Sequence, residues 1–241
     1  MRNLHIIMPM AGEGSRFRNA GWTTPKPLIE LNGKPLFVRA IESVRVEGAP
    51  MKYSFIVRKE HIDDYGVDRS IRAILPEANI YSVEKTTRGA VETCLIAGID
   101  DDDTVVVMDC DLEFRSNEYR RLIEAALNTA GDKARGGALV SFESDEPKYS
   151  YAEVGDDGLV KRTAEKEVIS NHALCGAYFF ASGREFKAAA HRLLDEPVML
   201  KPEFYVSLLY NYLLRDGSPV RLATMEMYRS YGTPEELKQW Q

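Results

Sequence analysis

The chain has 241 residues, 44% of them hydrophobic and 28% charged, enough for one sizeable α/β domain with its own core. The net charge of −6 argues against a general nucleic-acid binder, whose surface is basic, and means that an anionic ligand must be drawn by local cations. Three cysteines, Cys94, Cys110 and Cys175, are odd in number, widely spaced and free of any CxxC, which speaks against a disulfide frame or a zinc site and predicts reduced thiols. The N-terminal apolar run is too short for a signal peptide, and no segment approaches the ~18 apolar residues of a membrane span, so a cytoplasmic protein with no membrane partner is expected.

Taken in order, residues 4–8 read as a buried strand feeding a glycine-rich loop. Pro35 stands at a helix start, and Leu36, Phe37, Ala40, Ile41 and Val44 trace a helical stripe to about residue 47. Strands follow at 53–57, 79–83 and 104–108, separated by one or two short helices over 61–75 and a helix over 88–99. Ser116 caps a helix predicted to run to about Ala130. Beyond Gly136 come a strand at 137–142, a hairpin of 151–154 with 159–163, a strand at 173–181, helices over 183–194 and 203–215, and a strand at 220–224. Thr233, Pro234 and Glu236 supply the cap, first position and capping-box position of a last helix. Strands alternating with helices predict an α/β fold: a three-layer, open, mostly parallel sheet of Rossmann-like type with a small antiparallel β-hairpin insertion. No repeat, low-complexity tract or linker is visible, so residues 1–241 read as a single domain, whose rhythm of strands and helices changes beyond Gly136.

The densest chemistry lies in residues 8–27, MPMAGEGSRFRNAGWTTPKP. Gly12 and Gly14 let backbone lie against a bulky anion. Ser15 adds a hydroxyl and Arg16 a planar guanidinium that forks onto phosphate oxygens. Lys26 sits between Pro25 and Pro27, whose fixed φ angles favour a stiff, extended support. Two fixed cations and a row of free amides suit a triphosphate with a second phosphate beside it. The loop is not a Walker motif, since no Gly-Lys-Ser/Thr follows. GEGSRF lacks the third glycine of a dinucleotide fingerprint, and the segment after it does not read as helical. At 105–114, VVVMDCDLEF, Asp109 and Asp111 leave a strand end two residues apart, so both carboxylates face one way and suit Mg²⁺. Both this motif and the glycine loop fall at strand carboxyl ends, where open α/β sheets bind ligands. His5, His61, His172 and His191 share no metal-like spacing and are expected in structural or solvated roles.

Strand, AGxGSRF, PKPL and GKP before a helix together resemble the N-terminal signature of the sugar-phosphate nucleotidyltransferases (NDP-sugar pyrophosphorylases), in a branch resembling those of capsule and surface-polysaccharide biosynthesis. The resemblance implies transfer of a nucleoside monophosphate from an NTP to a phosphorylated acceptor, with pyrophosphate released and Mg²⁺ as cofactor, and a single domain with a nucleotide-binding half at 1–135 and an acceptor-binding half at 136–241. It makes Arg16 and Lys26 the catalytic cations. It assigns the nucleotide to Met10, Ala11, Gly12, Glu13, Gly14, Ser15 and Arg16, and to Thr87, Gly89 and Ala90 in TTRGA, which resembles the family's Gly-Thr-Ala segment. Asp111 matches the family's metal-binding aspartate, with Asp109 beside it. Glu165 and Lys166 match a pair that holds the sugar and its phosphate, and Gly176 and Tyr178 match the acceptor strand that follows.

One position departs. Ser230 stands where the family carries an aspartate two residues before Gly-Thr-Pro, so the metal site lacks one carboxylate, and Asp109 is expected to supply the missing oxygen. The acceptor expected by default is a sugar 1-phosphate. A phosphocholine-type cytidylyltransferase, an A-type glycosyltransferase using Asp109-Cys110-Asp111, and a non-catalytic nucleotide-sugar sensor are the alternatives. A homo-oligomer is left open.

Overall fold

The structure, a computed structural model, describes residues 1–129, 131–196 and 203–241. In chain order it forms β1 (Leu4–Met10), α1 (Ser15–Asn19), a 3₁₀ turn (Lys26–Leu28), β2 (Glu30–Leu31), β3 (Lys34–Pro35), α2 (Leu36–Val44), β4 (Met51–Arg58), α3 (Lys59–Tyr65), α4 (Val67–Ile74), β5 (Asn79–Val83), α5 (Ala90–Cys94), β6 (Thr104–Met108), β7 (Leu112–Arg115) and α6 (Asn117–Leu127). There follow β8 (Gly137–Glu143), β9 (Ser150–Val154), β10 (Val160–Glu165), β11 (His172–Phe180), α7 (Gly183–Asp195), α8 (Leu209–Arg215), β12 (Val220–Thr224), β13 (Met227–Ser230) and α9 (Pro234–Lys238).

The main sheet runs β5-β4-β1-β6-β11-β8-β12, with β1, β4, β5 and β6 mutually parallel and β11 antiparallel to β6. Side chains that alternate along each strand build two separate cores. Ile6 and Met8 of β1, Phe55 and Val57 of β4, and Val106 and Met108 of β6 face the layer containing α2, α4 and α6. Ile7, Ile56, Val105 and Val107 face the opposite layer, containing α5, α7 and α8. Strands covered on both faces read as continuous apolar runs, which is why the sequence located them.

Other elements depart from expectation. The segment after the glycine loop is helical: α1 forms because Phe17 is buried and packs edge-on against Trp22, 5.6 Å between centroids. Lys26 opens a 3₁₀ turn rather than extending the chain; Leu28 and Ile29 donate back to the Pro25 and Lys26 carbonyls at 2.9 and 3.2 Å. α5 stops at Cys94, where the bonds of Ile96 and Ala97 tighten to i→i+3 and Gly98 N donates to Tyr81 Oη at 3.2 Å. The helix expected from 203 begins only after a 3₁₀ turn at Val206–Leu208, because the Phe204 backbone is bonded to Arg88 O and Val91 N at 2.9 and 3.1 Å. α6 is capped by Ser116 as expected and ends at Leu127; Ala130 lies outside the described residues. Strands β7 and β13, not foreseen, pair as a small antiparallel sheet, Leu112 opposite Ser230.

Two irregularities shape the ligand end. β11 pairs with β8 at both its ends and with β6 in its second half, while Ala173 on its other edge pairs with Tyr151, at the start of the β9–β10 hairpin. Its register with β8 shifts between Leu174 and Tyr178, and Gly176 within that interval has φ +94°. Upstream, Asn32 and Gly33, at φ 51° and 72°, turn the β2–β3 hairpin and hand the chain to α2.

Candidate active site

Two cavities open at the carboxyl ends of β1, β4 and β6, of about 550 and 410 Å³, within the range that holds small-molecule ligands. Asp109 and Asp111 line both. The first cavity is built from residues 9–27, 60–65 and 109–111. Gly12 and Gly14 face open space, so nothing obstructs a large anion against that backbone, and Gly14 holds φ +61° at the entry to α1. Met10, Glu13 and Lys26 also line it, while Ala11 is buried.

Lys26 stands where the cavities meet. Its ammonium lies 5.6 Å from the Phe17 ring centroid and is bonded to Asp111 Oδ2. Burial pulls its pKa down, but the charges and hydrogen bond of Asp111, with Cys110 and Asp109 nearby, outweigh this and hold the lysine charged. Asp109 keeps surface towards the cavities while protein encloses its other sides; this burial, reinforced by Asp111 and Glu165 and opposed by Lys26, pushes its carboxyl up to about 7. Gly176 makes room for it: a Cβ there would come within 2.4 Å of Asp109 Oδ2, and Asp109 N donates to Gly176 O at 2.9 Å.

The second cavity lies between the β9–β10 hairpin, β11, β13 and the start of α9. Arg16 points to it rather than to the first, and Ala90, Glu165, Gly176 and Tyr178 line it too. Glu165 is buried; the hydroxyls of Ser150 and Ser207 both donate to its Oε2, the second at 2.8 Å. Lys166, at φ 54°, is turned out onto Tyr205, donating to its hydroxyl at 2.7 Å, and does not line either cavity. Thr87 is tied to Thr93 Oγ1 at 2.6 Å, and a side chain at Gly89 would strike Phe204 N at 2.5 Å; neither residue lines these cavities, and nor does Ser15.

Ser230 is brought to Asp111 by the β7–β13 pairing and by the Tyr231 N to Asp111 O bond of 2.7 Å. Its hydroxyl donates to Glu236 Oε2 at 2.7 Å, which also accepts from Gly232 N at 2.9 Å. The hard oxygens of Asp109 and Asp111 suit Mg²⁺. Among the described residues no group of three or more His, Cys, Asp and Glu side chains is placed to hold a metal, so phosphate and water oxygens would complete such a site. Glu226 lies apart, accepting from Asn117 N at the α6 terminus.

Sequence reasoning missed Arg18, Trp22, His61 and Tyr65 in the first cavity and Lys148, Glu203, Tyr228 and Glu236 in the second. Arg18, two residues beyond Arg16, was the most readable of these. The others reach the site only through β-strand register and helix placement.

This is a nucleotidyltransferase fold with a two-chambered cleft around an aspartate pair. The nucleotidyl transferase family pattern matches residues 4–206, and the chain belongs to that family. A nucleoside-diphosphate-sugar pyrophosphorylase from Vibrio cholerae RC9 is 25% identical and superimposes with TM-score 0.79 over 98% of both chains. The inositol-1-phosphate CTP transferase of T. maritima shares the fold at TM-score 0.71, 13% identity, 96% of this chain and 90% of its own. A low-salt glycan biosynthesis nucleotidyltransferase, Agl11 of Haloferax volcanii, is 25% identical over 96% of this chain; the chain spans 63% of that protein's length. No helix among the described residues is long and apolar enough to cross a membrane.

Proposed function

We propose that the protein transfers a nucleoside monophosphate from an NTP to a phosphorylated acceptor, a sugar 1-phosphate by default, releasing pyrophosphate and making an activated precursor for a surface glycan. The observation that carries this is the Lys26–Asp111 pair at the junction of two cavities that share Asp109 and Asp111. An NTP in the first cavity, held mainly by residues of 1–135, presents its α-phosphate at that junction. An acceptor in the second, held largely by residues of 136–241, presents its phosphate from the other side. An acceptor oxygen then bonds to the α-phosphorus in line, and the bond from that phosphorus to the bridging oxygen of pyrophosphate breaks. The attacking phosphate is already anionic, so no general base is needed. The protein's task is to hold two polyanions together and neutralise developing charge. In this reading Arg16 takes the acceptor phosphate, the loop amides with Arg18 take the β- and γ-phosphates, and Lys26 moves from Asp111 onto the α-phosphate. Asp109 and Asp111 would hold Mg²⁺, which supplies charge neutralisation at the α-phosphate.

The glycan role rests on likeness to the Haloferax protein. The test is pyrophosphate release with Mg²⁺ and each of four NTPs against a panel of phosphorylated acceptors. Release with one NTP and one acceptor class is expected. Measurable NTP binding with no release from any pair would overturn the enzymatic reading in favour of a sensor.

A further inference from the structure

The nucleoside end of the first cavity deepens that reading and rests on it. With the α-phosphate at Lys26 and the β- and γ-phosphates on the glycine-loop amides, the base and ribose must lie along another wall of the same cavity. The segment expected to meet them does not reach it: Thr87 and Gly89 line neither cavity, and Ala90 lines the second. One wall of the first cavity is α3, which contributes Glu60, His61 and Tyr65. His61 and Tyr65 are four residues apart, so they share one face of the helix, and their rings meet edge-on with centroids 6.1 Å apart. Neither ring nitrogen of His61 and no atom of the Tyr65 hydroxyl is hydrogen-bonded to another described residue. The charged groups beside them are engaged, Arg18 with Glu13 at 3.3 Å and Glu60 with Arg58 at 3.4 Å. Tyr65 is 45% exposed, so its ring is open to a ligand in the cavity it lines.

This wall does not suit a polyphosphate. Glu60 places a carboxylate on it, and the face of an aromatic ring is electron-rich. His61 is not a cation at pH 7 either. Burial lowers its pKa, and the charges of Arg58 and Arg18 lower it further against the opposite pull of Glu60 and Asp64. A neutral imidazole offers one hydrogen-bond donor and one acceptor, which a nucleobase edge can meet with its own, and a tyrosine ring gives a base a surface to stack on. We infer that α3 carries the base-reading site for the NTP, with His61 hydrogen-bonded to the edge of the nucleobase and Tyr65 stacked on its ring. His61 is then the residue that selects among NTPs.

The test is calorimetric binding, with Mg²⁺, of CTP, UTP, dTTP, GTP and ATP, and of inorganic tripolyphosphate, which carries the phosphates without a base. α3 has no fully buried residue, so folding tolerates His61→Ala, Tyr65→Ala and Tyr65→Phe. Wild type is expected to bind one nucleotide about tenfold or more above the others. His61→Ala is expected to bring that ratio towards one, the scale of a lost recognition hydrogen bond, and to leave tripolyphosphate affinity unchanged. Tyr65→Ala is expected to weaken every nucleotide about five- to tenfold, and Tyr65→Phe to weaken none. An equal loss for nucleotides and tripolyphosphate in His61→Ala would put His61 on the phosphates and overturn the inference. Unchanged selectivity in that variant overturns it as well, and so does a wild type that binds all five nucleotides alike or no more tightly than tripolyphosphate. In each of these cases pyrophosphate release by the wild type leaves nucleotidyl transfer standing, whereas a wild type that binds no nucleotide overturns both.

Discussion

Lys26 is the side chain on which the proposed chemistry turns, since it lines the first chamber and its ammonium is bonded to Asp111, which lines both. Lys26→Ala is expected to lower kcat/KM about 100-fold or more with the fold retained, the loss typical of removing one preorganised charge at a reacting centre. Near-wild-type pyrophosphate release would dismiss the role. Gly176→Ala tests the supporting geometry. Its φ of +94° and the 2.4 Å approach to Asp109 Oδ2 together predict about 1–3 kcal/mol of strain, a lower Tm, and lost turnover from a displaced Asp109. Unaltered Tm and turnover would show that the carboxylate does not need that space. At this scale the sequence was most informative where chemistry is local. Gly12, Gly14, Lys26, Asp109 and Asp111 lie in two short motifs and converge on one cleft. Lys148, Glu203 and Glu236 could not be nominated, because an ordinary charged residue is marked as a site residue only by what the fold brings beside it. Arg16 and Lys166 show the same limit from the other side: the residue type is readable, but whether its side chain enters the first cavity, the second or neither depends on the backbone that carries it.

Among the elements, α6 illustrates a helix whose start is written locally and used globally. Ser116 Oγ accepts from Tyr119 N at 3.1 Å and donates to Thr224 O at 2.6 Å, so the cap also ties the helix to the end of β12. Ser116→Ala is expected to cost about 1–2 kcal/mol, read as a lower urea midpoint at unchanged slope. A midpoint equal to wild type would mean that solvent replaces both bonds. Capping residues and doubly covered strands were legible because their signals are dense and near in sequence. The four-residue strands β7 and β13 carry no such run; they exist because residues 112–115 and 227–230 meet across the fold. The helix expected from 203 started late for the same reason, its first residues being held by α5 and the chain before it. A helical stripe indicates what would pack if the segment were helical, not whether a neighbour has already claimed its backbone.

At the scale of the whole molecule, the parallel sheet was foreseeable but its order was not, since nothing in a strand's composition says that β11 will insert between β6 and β8. That order also decides what lies at the end of the sheet away from the cleft. There Asp103 is buried, accepting from Asn3 Nδ2 at 3.2 Å and lying 3.1 Å from His5 Nδ1 and 3.3 Å from Lys52 Nζ, while His5 Nε2 meets Ser54 Oγ at 2.8 Å. The spacing imitates a serine–histidine–aspartate relay, yet all three residues are buried, so its role is to bind β1, β4 and the turn before β6 together. Burial alone would raise the Asp103 carboxyl, but the hydrogen bonds from His5 and Asn3 and the charges of His5 and Lys52 bring it down to about 2. A carboxyl that holds its proton less tightly when folded stabilises the fold in full above its unfolded value, about 4. That contribution drains as pH falls towards 2 and amounts to about 2 kcal/mol for a shift of this size. Asp103→Asn is therefore expected to be the less stable protein at pH 7 and to lose less stability than wild type between pH 5 and 2, with chemical denaturation followed across that range. Parallel pH profiles for the two proteins would show that Asp103 titrates alike folded and unfolded, and that the network holds the strands by shape rather than by charge.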